Sequence, residues 1–359
     1  MKLEFVLCKY LILARLATME IKENYSLKKL NTFGIDAKTK YFATTDSVDE
    51  IRELLSSDLL KNNPKFILGG GSNILLTKDF DGTVLKVGLL GKELADEDDD
   101  NCLVKVGAGE NWHQFVLWCL ENDYAGVENL SLIPGNMGAA PMQNIGAYGV
   151  ELKEVFHELE TVFIDSGEEQ KFTNADCNFA YRDSIFKNEL KDKCIITSVT
   201  LKLQKKPVFN TSYGALEQEL GKMGVKQLSI KAISDAVCSI RRSKLPDPAE
   251  IGNAGSFFKN PVISNSKLQE LNSEFSDMPA YPVKEGFTKI PAGWLIEKAG
   301  WKGKRFNGYG VHENQALVLV NYPASGGANG SDIFELSETI LKDIQEKFGV
   351  ELEREVNVI

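Results

Sequence analysis

The stretch 131–149, SLIPGNMGAAPMQNIGAYG, limits the folds open to this chain more than any other. It holds four glycines, three alanines, one serine, two prolines and no charge. Gly and Pro interrupt it too often for an amphipathic helix or a regular strand. Such a run presents backbone N–H groups with little side chain in the way, so a flat ligand or a pyrophosphate can approach closely. A long solvent loop is the competing reading. Long structureless loops are usually polar, whereas this one is small and apolar and is expected to lie against something.

The 359 residues suffice for two or three domains with ample core. With 43% hydrophobic and 26% charged residues the composition is that of an ordinary globular protein. A net charge of −10 disfavours a nucleic-acid groove, so no nucleic-acid partner is expected. Six cysteines (Cys8, Cys102, Cys119, Cys177, Cys194, Cys238) are scattered without a CxxC pair. They resemble reduced core residues of a cytosolic protein, not a disulfide framework or a metal site. His113, His157 and His312 make no motif and read as structural, so no metal is expected. Residues 1–18 look faintly like a signal peptide, but Glu4, Lys9 and Arg15 break the apolar run. They read as a non-essential extension before a cytosolic start at Met19, with a membrane-surface helix as the alternative. A cytoplasmic protein without a membrane partner is the expectation.

Along the chain, NTFGI at 31–35 precedes a strand-like YFATT. Ser47 and Glu50 form a capping box for a helix whose apolar face is Val48, Ile51, Leu54 and Leu55. Residues 66–68 read as a short buried strand that runs into Gly69, Gly70, Gly71, Ser72 and Asn73, then a second strand over 74–76. This order is neither a dinucleotide fingerprint nor a P-loop. The turn can offer N–H groups and the Ser72 hydroxyl to a pyrophosphate, or be no more than a tight hairpin. Strands at 82–87 and 103–108 flank an acidic, solvated loop at 96–100. A helix is expected over 111–121, strands over 159–164 and 195–203, and a short helical segment from Tyr213. A helix over 230–244 ends in Arg241, Arg242, Ser243 and Lys244, a placement the helix dipole favours by itself. Leu245-Pro246-Asp247-Pro248 stops it, and a further domain begins there. That domain carries a helix over 292–299, a strand over 316–321 and a last helix over 332–348 ended by Gly349. The closing ELEREVNVI is strand-like. The chain has no internal repeats.

Taken together and in this order, GGGSN, IPGNMGAAPMQNIGAYG, YRDSIFK, RRSKLPDP, GNAGSFFKNP and the terminal LEREV resemble the type I UDP-N-acetylenolpyruvoylglucosamine reductase family, flavoenzymes of bacterial peptidoglycan precursor synthesis. GGGSN alone is a weak signal, whereas the ordered set is specific and runs from about residue 31 to the end. The resemblance implies an α+β fold. Two FAD-binding subdomains of the vanillyl-alcohol-oxidase type would cover 19–88, joined by 346–359, and 89–244. A separate α+β substrate-binding domain would cover 245–345. The resemblance further implies a monomer whose small-molecule partners are NADPH and UDP-N-acetylglucosamine enolpyruvate. NADPH would give a hydride to N5 of non-covalent FAD. The reduced flavin would then give a hydride to C3 of the enolpyruvyl group, and protonation at C2 would yield UDP-N-acetylmuramate.

By the same resemblance Ser256 is the proton donor, and Arg182 and Glu355 grip and polarise the enolpyruvyl carboxylate. A bidentate arginine suits the negative charge that hydride arrival pushes onto that carboxylate. From the residues alone, Ser256 would instead satisfy backbone in a Gly-rich turn, and Glu355 would be an acid on a surface strand. Substrate contacts are implied at Tyr181, Tyr213, Lys244, Asn260 and Gln315, with Lys244 at the diphosphate and Gln315 at the uracil. The implied flavin cradle is Gly69, Gly70, Gly71, Ser72, Asn73, Pro134, Gly135, Gly138, Asn144, Ile145, Gly146 and Ala147, with Arg241 on the flavin side. Asn357 stands where some members carry an arginine, which removes a positive charge from the site. A related flavin oxidase and a flavin-binding protein without chemistry are the alternatives. Lys244, Tyr213 and Gln315 speak against the first, and the presence of Ser256, Arg182 and Glu355 against the second.

Overall fold

The computed structural model describes residues 20–359, so the extension read at 1–18 and Cys8 lie outside the described residues. The chain forms two compact units, each assembled from separate segments. The first comprises the described residues up to Tyr25, Thr39–Gly70 and Phe80–Arg241; the second comprises Ser26–Lys38, Gly71–Asp79 and Arg242–Ile359.

In the first unit, strand Lys38–Thr45 lies between Lys22–Ser26 and Phe80–Val87, with Lys65–Leu68 beyond the last. Phe80–Val87 runs parallel to both neighbours. Parallel neighbours need a crossover, and helix Val48–Ser56 lies in the one that leads from Lys38–Thr45 to Lys65–Leu68. Its cap is the expected one with a small shift. The Ser47 hydroxyl accepts from the Glu50 N–H at 3.2 Å, while the Glu50 carboxylate accepts from the N–H of Asp46, one residue earlier than a capping box would have it. Ile51, Leu54 and Leu55 are buried as the periodicity requires.

A five-stranded antiparallel sheet follows, in the order Glu169–Thr173, Phe156–Phe163, Cys194–Gln204, Asn101–Gly107, Lys92–Glu97. Its central strand Cys194–Gln204 is buried almost along its length. Helix Trp112–Glu121, capped by the Asn111 side chain, drives Trp112, Phe115, Val116 and Cys119 into the same core as Val104, Val106, Leu159 and Val199. The solvated loop expected at 96–100 is corrected in part: Asp96 and Glu97 end the edge strand Lys92–Glu97. Neither that strand nor Glu169–Thr173 shows the apolar alternation that marks a half-buried strand, because both are edges with most side chains in water. Helices Gly214–Lys222 and Ile230–Lys244 pack on one another through Leu216, Leu220, Ile233, Val237 and Ile240.

The second unit carries an antiparallel sheet ordered Gly252–Asn253, Leu319–Asn321, Tyr309–Val311, Arg305–Phe306. A three-stranded sheet orders Val262–Ser264, Phe287–Lys289, Tyr281–Lys284. The strand expected over 316–321 is shorter because the Val318 N–H turns back to the Gln315 carbonyl. The last helix, Gly330–Phe348, opens on a capping box between Asn329 and Asp332 and ends at Gly349, whose φ of 61° is the left-handed C-cap conformation. Its Phe348 ring joins Phe275 and Trp294 in an aromatic cluster.

Strand Ile74–Leu75 pairs in parallel with Asn357–Val358, and Lys65–Leu68 pairs with Phe80–Val87. The hairpin reading of Gly69–Asn73 is therefore corrected: the flanking strands belong to different sheets, and the division between the units falls between Gly70 and Gly71. Of the strand-like 351–359, only Asn357–Val358 is a strand. The described cysteines are thiols, with Cys102, Cys119, Cys177 and Cys238 buried. Burial pushes the Cys177 thiol up to about 12, which leaves it inert at neutral pH. Among the described residues no helix is long and apolar enough to cross a membrane.

Candidate active site

The first unit contains Gly69, Gly70, Pro134, Gly135, Gly138, Asn144, Ile145, Gly146, Ala147, Tyr181, Arg182, Tyr213 and Arg241. The stretch 131–149 is held along its length rather than hanging in solvent. The Met137 N–H bonds to the Glu110 carbonyl, the Gly138 N–H to Ala108, and the Gly135 carbonyl accepts from the Trp112 N–H. Ser131 is wholly buried and its hydroxyl meets that of Ser234 at 2.7 Å. A Cβ on Gly138 would stand 2.7 Å from the Ala108 Cβ. Two glycine-rich stretches touch here: a Cβ on Gly70 would lie 2.9 Å from the Gly135 Cα and 2.8 Å from the Asn136 Oδ1. Gly70→Ala is therefore expected to force the two loops apart at a cost of about 1–3 kcal/mol. A lowered melting temperature together with reduced flavin content in the purified protein checks this; unchanged flavin content would show that this contact does not shape the cofactor's seat.

Beyond the glycines the chain doubles back at 146–151, where Gly146–Ala147 pairs with Val150–Glu151. Asn144, Tyr148 and Arg182 all have left-handed backbone, with φ of 42°, 49° and 55°. An arginine or tyrosine in that conformation is strained, and strain of this kind gathers at functional sites. The Arg182 guanidinium donates to the Gly146 carbonyl at 2.7 Å and lies 5.4 Å from the Tyr181 ring centroid. Arg241 donates from Nε to the Leu132 carbonyl at 3.2 Å. Burial lowers its pKa, Tyr148 and Cys238 oppose that, and the Arg182 cation adds to it. An arginine still stays charged, and the first unit brings the two guanidinium groups near enough for the Arg182 charge to act on Arg241.

Tyr148 was not singled out in the sequence. Its ring meets Tyr213 edge-on at 5.4 Å, and burial raises its hydroxyl pKa against the pull of Arg241. An aromatic residue between two glycines of an apolar loop was the available signal. Tyr213 itself is 51% exposed at the start of helix Gly214–Lys222.

The second unit holds Gly71, Ser72, Asn73, Lys244, Ser256, Asn260, Gln315 and Glu355. The segments that carry Ser256 and Glu355 run side by side, paired through the neighbours of Ser256. The Glu355 N–H donates to the Phe257 carbonyl at 2.9 Å, the Lys259 N–H to Glu353 at 2.8 Å, and Phe258 bridges Arg354. Phe257 and Phe258, both buried, pin this segment. On its other side the Phe257 N–H donates to Leu317, two residues beyond Gln315. Asn260 and Gln315 converge at the start of helix Ala292–Lys298. The Asn260 Oδ1 accepts from the Ala292 N–H at 3.0 Å, and the Gln315 Oε1 stands 3.3 Å from where a Gly293 Cβ would be. Lys244, the last residue of its helix, is exposed.

Asn31, buried, bonds through its side chain to Leu27, Ile35 and the Ile35 N–H, which fixes the NTFGI turn. That turn lies against Gly71, where a Cβ would fall 1.9 Å from the Leu30 carbonyl oxygen and φ is 65°. Asn73 donates to the Glu355 carbonyl, and Asn357 donates to the Asn73 carbonyl from both its backbone and its side chain. Asn357 thus serves as a clasp on the glycine-rich turn.

A family model described as an FAD binding domain matches residues 39–173, and one described as the C-terminal domain of UDP-N-acetylenolpyruvoylglucosamine reductase matches 247–359. A protein of that name from Flavobacterium johnsoniae is 54% identical over 342 residues, which are 95% of this chain and 100% of the relative. The chain belongs to the UDP-N-acetylenolpyruvoylglucosamine reductase family. The reductase of Amoebophilus asiaticus is 51% identical over 95% of the chain and 100% of that protein. The crystal structure of the Thermus caldophilus reductase matches with a TM-score of 0.66 and 22% identity, over 95% of this chain and 99% of that one. At that identity the likeness concerns the fold, and the fold is the expected α+β arrangement of an FAD-binding domain and a family-specific C-terminal domain.

Proposed function

We propose that this reductase-family chain uses NADPH to reduce UDP-N-acetylglucosamine enolpyruvate to UDP-N-acetylmuramate in the cytoplasm, as a monomer, with FAD held by the residues expected from the sequence. The observation that supports this reading is the backbone pairing of Phe257 and Phe258 with 354–355, which brings the segment carrying Ser256 alongside the segment carrying Glu355 in the second unit. A hydroxyl and a carboxyl on adjacent segments, with Asn260 and Gln315 on the same unit, form a set that can bind an enolpyruvyl ligand and deliver one proton.

The residues fit FAD. The contact of Gly70 with Gly135 leaves no space for side chains between the loops, so their backbones can face a flat ring system or a diphosphate. Arg241 supplies charge for the anion from a largely buried position. When bound, FAD supplies the hydride relay between NADPH and the enolpyruvyl carbon. In this reading Arg182 holds the substrate carboxylate with a planar fork and takes up the negative charge that develops there. Ser256 delivers the proton to C2. A serine hydroxyl is a weak acid, so it serves only because the carbon it protonates is strongly basic and the geometry is fixed. Glu355 orients that geometry from the paired segment. Lys244 places an exposed ammonium for the diphosphate, and Tyr181, Tyr213, Asn260 and Gln315 hold the sugar nucleotide. The domain division at 88/89 and 244/245, with 346–359 returning to the first subdomain, is part of this proposal.

Anaerobic stopped-flow absorbance tests the reading. NADPH should bleach the flavin band, and the enolpyruvyl substrate should restore it rapidly. Bleaching that this substrate cannot reverse would leave a flavoprotein with another acceptor and sink the substrate assignment.

A further inference from the structure

Arg182 occupies the third position of a tight turn at 180–183, closed by hydrogen bonds from the Ala180 N–H to the Asp183 carbonyl at 3.1 Å and from the Asp183 N–H back to Ala180 at 3.3 Å. Its φ of 55° is one that turns usually give to glycine or asparagine. A side chain persists in such a conformation only where its surroundings over-determine it. Here they do so through the side chains of two residues, Ser184 and Asn144.

Ser184 follows the turn and is 1% exposed. Its hydroxyl donates to the Met142 carbonyl at 2.7 Å and accepts from the Phe186 N–H at 3.2 Å, capping the helical turn Ile185–Lys187. Asn144 enters from the other side, with no exposed surface. Its amide nitrogen donates to the Ala180 carbonyl at 3.1 Å and to the Glu151 carboxylate at 3.0 Å, and its oxygen accepts from the Lys153 N–H at 3.0 Å. An amide nitrogen has two hydrogens, and both are spent inside the protein. The Asn144 side chain therefore positions; it is not left to touch a ligand. Together with the bond from Arg182 to Gly146, these contacts tie the turn to the segment 142–146 at three points. A Cβ on Gly146 would stand 3.1 Å from the Arg182 Nη1, so the guanidinium lies down on a position that only glycine leaves open.

We infer that Ser184 and Asn144 are positioning residues that hold Arg182 in its left-handed conformation and so fix where its guanidinium points. The inference rests on the reading of Arg182 as the carboxylate-binding residue. Removing the Ser184 hydroxyl frees the far end of the turn, and the backbone of Arg182 can relax toward an ordinary φ. The guanidinium then leaves its place although it is chemically intact.

The experiment compares Ser184→Ala, Arg182→Ala and the double variant, each as flavin-loaded full-length protein. Ser184→Ala should reduce the flavin with NADPH within twofold of the parent rate. Reoxidation by the enolpyruvyl substrate should slow about 10-fold or more, because a misplaced catalytic group forfeits effective molarity. In the Arg182→Ala background, Ser184→Ala should add nothing, the signature of two residues that act as one. Its crystal structure should show Arg182 out of the left-handed region, a readout independent of turnover. Equal slowing of both half-reactions, or the same further loss in both backgrounds, would overturn the inference. If Ser184→Ala does not fold, Ser184→Cys keeps most of the volume with a weaker donor, and the same comparison decides. The two readings fail differently. A parent protein whose bleached flavin the substrate cannot reoxidise defeats the proposed function. A parent that turns over, depends on Arg182 and ignores Ser184 defeats only this inference.

Discussion

With alanine at position 256, NADPH should still bleach the protein at close to its normal rate, while recovery on adding the enolpyruvyl substrate should slow by roughly 10²–10⁴-fold, the range for loss of a positioned general acid. The asymmetry is the diagnostic part. Ser256 lies between buried Phe257 and the left-handed Gly255, on a segment pinned by pairing with 353–355. Losing one hydroxyl from a partly exposed position there should leave the fold and the flavin in place. In the proposed reaction the first half needs no proton from the protein, and the second does. Rapid-mix absorbance of both phases, with flavin content as the folding control, measures the contrast. Equal slowing of the two phases would remove Ser256 from the proton-donor role.

The second large effect belongs to Arg182. Arg182→Lys keeps a positive charge and meets the same backbone demand, yet it gives up the planar fork that can grip a carboxylate with two parallel bonds. Loss of one preorganised donor to developing charge costs roughly 10²–10³-fold, and the second half-reaction of Arg182→Lys should fall by that amount. Arg182→Ala should fall at least as far and should also weaken substrate binding to the oxidised protein by calorimetry. A lysine variant with parental turnover would mean that charge alone is required. Unchanged substrate binding and turnover in the alanine variant would place the carboxylate elsewhere.

How far the chain could be read in advance depended on where the information lies. Helices Val48–Ser56, Ile230–Lys244 and Gly330–Phe348 announce themselves by caps and by apolar residues three and four apart, all local signals. The edge strands Lys92–Glu97 and Glu169–Thr173 were illegible because water covers most of their side chains and no alternation is imposed. At Gly69–Asn73 the sequence left a hairpin open as an alternative. Its composition does suit a hairpin, and only partners far away in sequence, Lys86 for Leu68 and Asn357 for Ile74, decide against one. In the candidate site, motif order pointed to Ser256, Glu355 and Arg182. The roles of Ser184 and Asn144 could not be seen there, since a buried serine or asparagine declares its partners only once two loops have been brought together.

The clasp between Asn73 and Asn357 spans 284 positions in sequence, and it bears on the order in which the protein can be made. A ribosome releases the first unit's segments, up to Arg241, while most of the second unit is still unsynthesised. The early strand Ile74–Leu75 must then wait without its sheet partner Asn357–Val358. Contacts this distant in sequence form slowly, because the chain pays the entropy of a very long loop before any bond repays it. During that interval Asn73 lacks its bonds to Glu355 and Asn357. The Asn73 end of the turn is therefore completed only after residues 355–358 have been made.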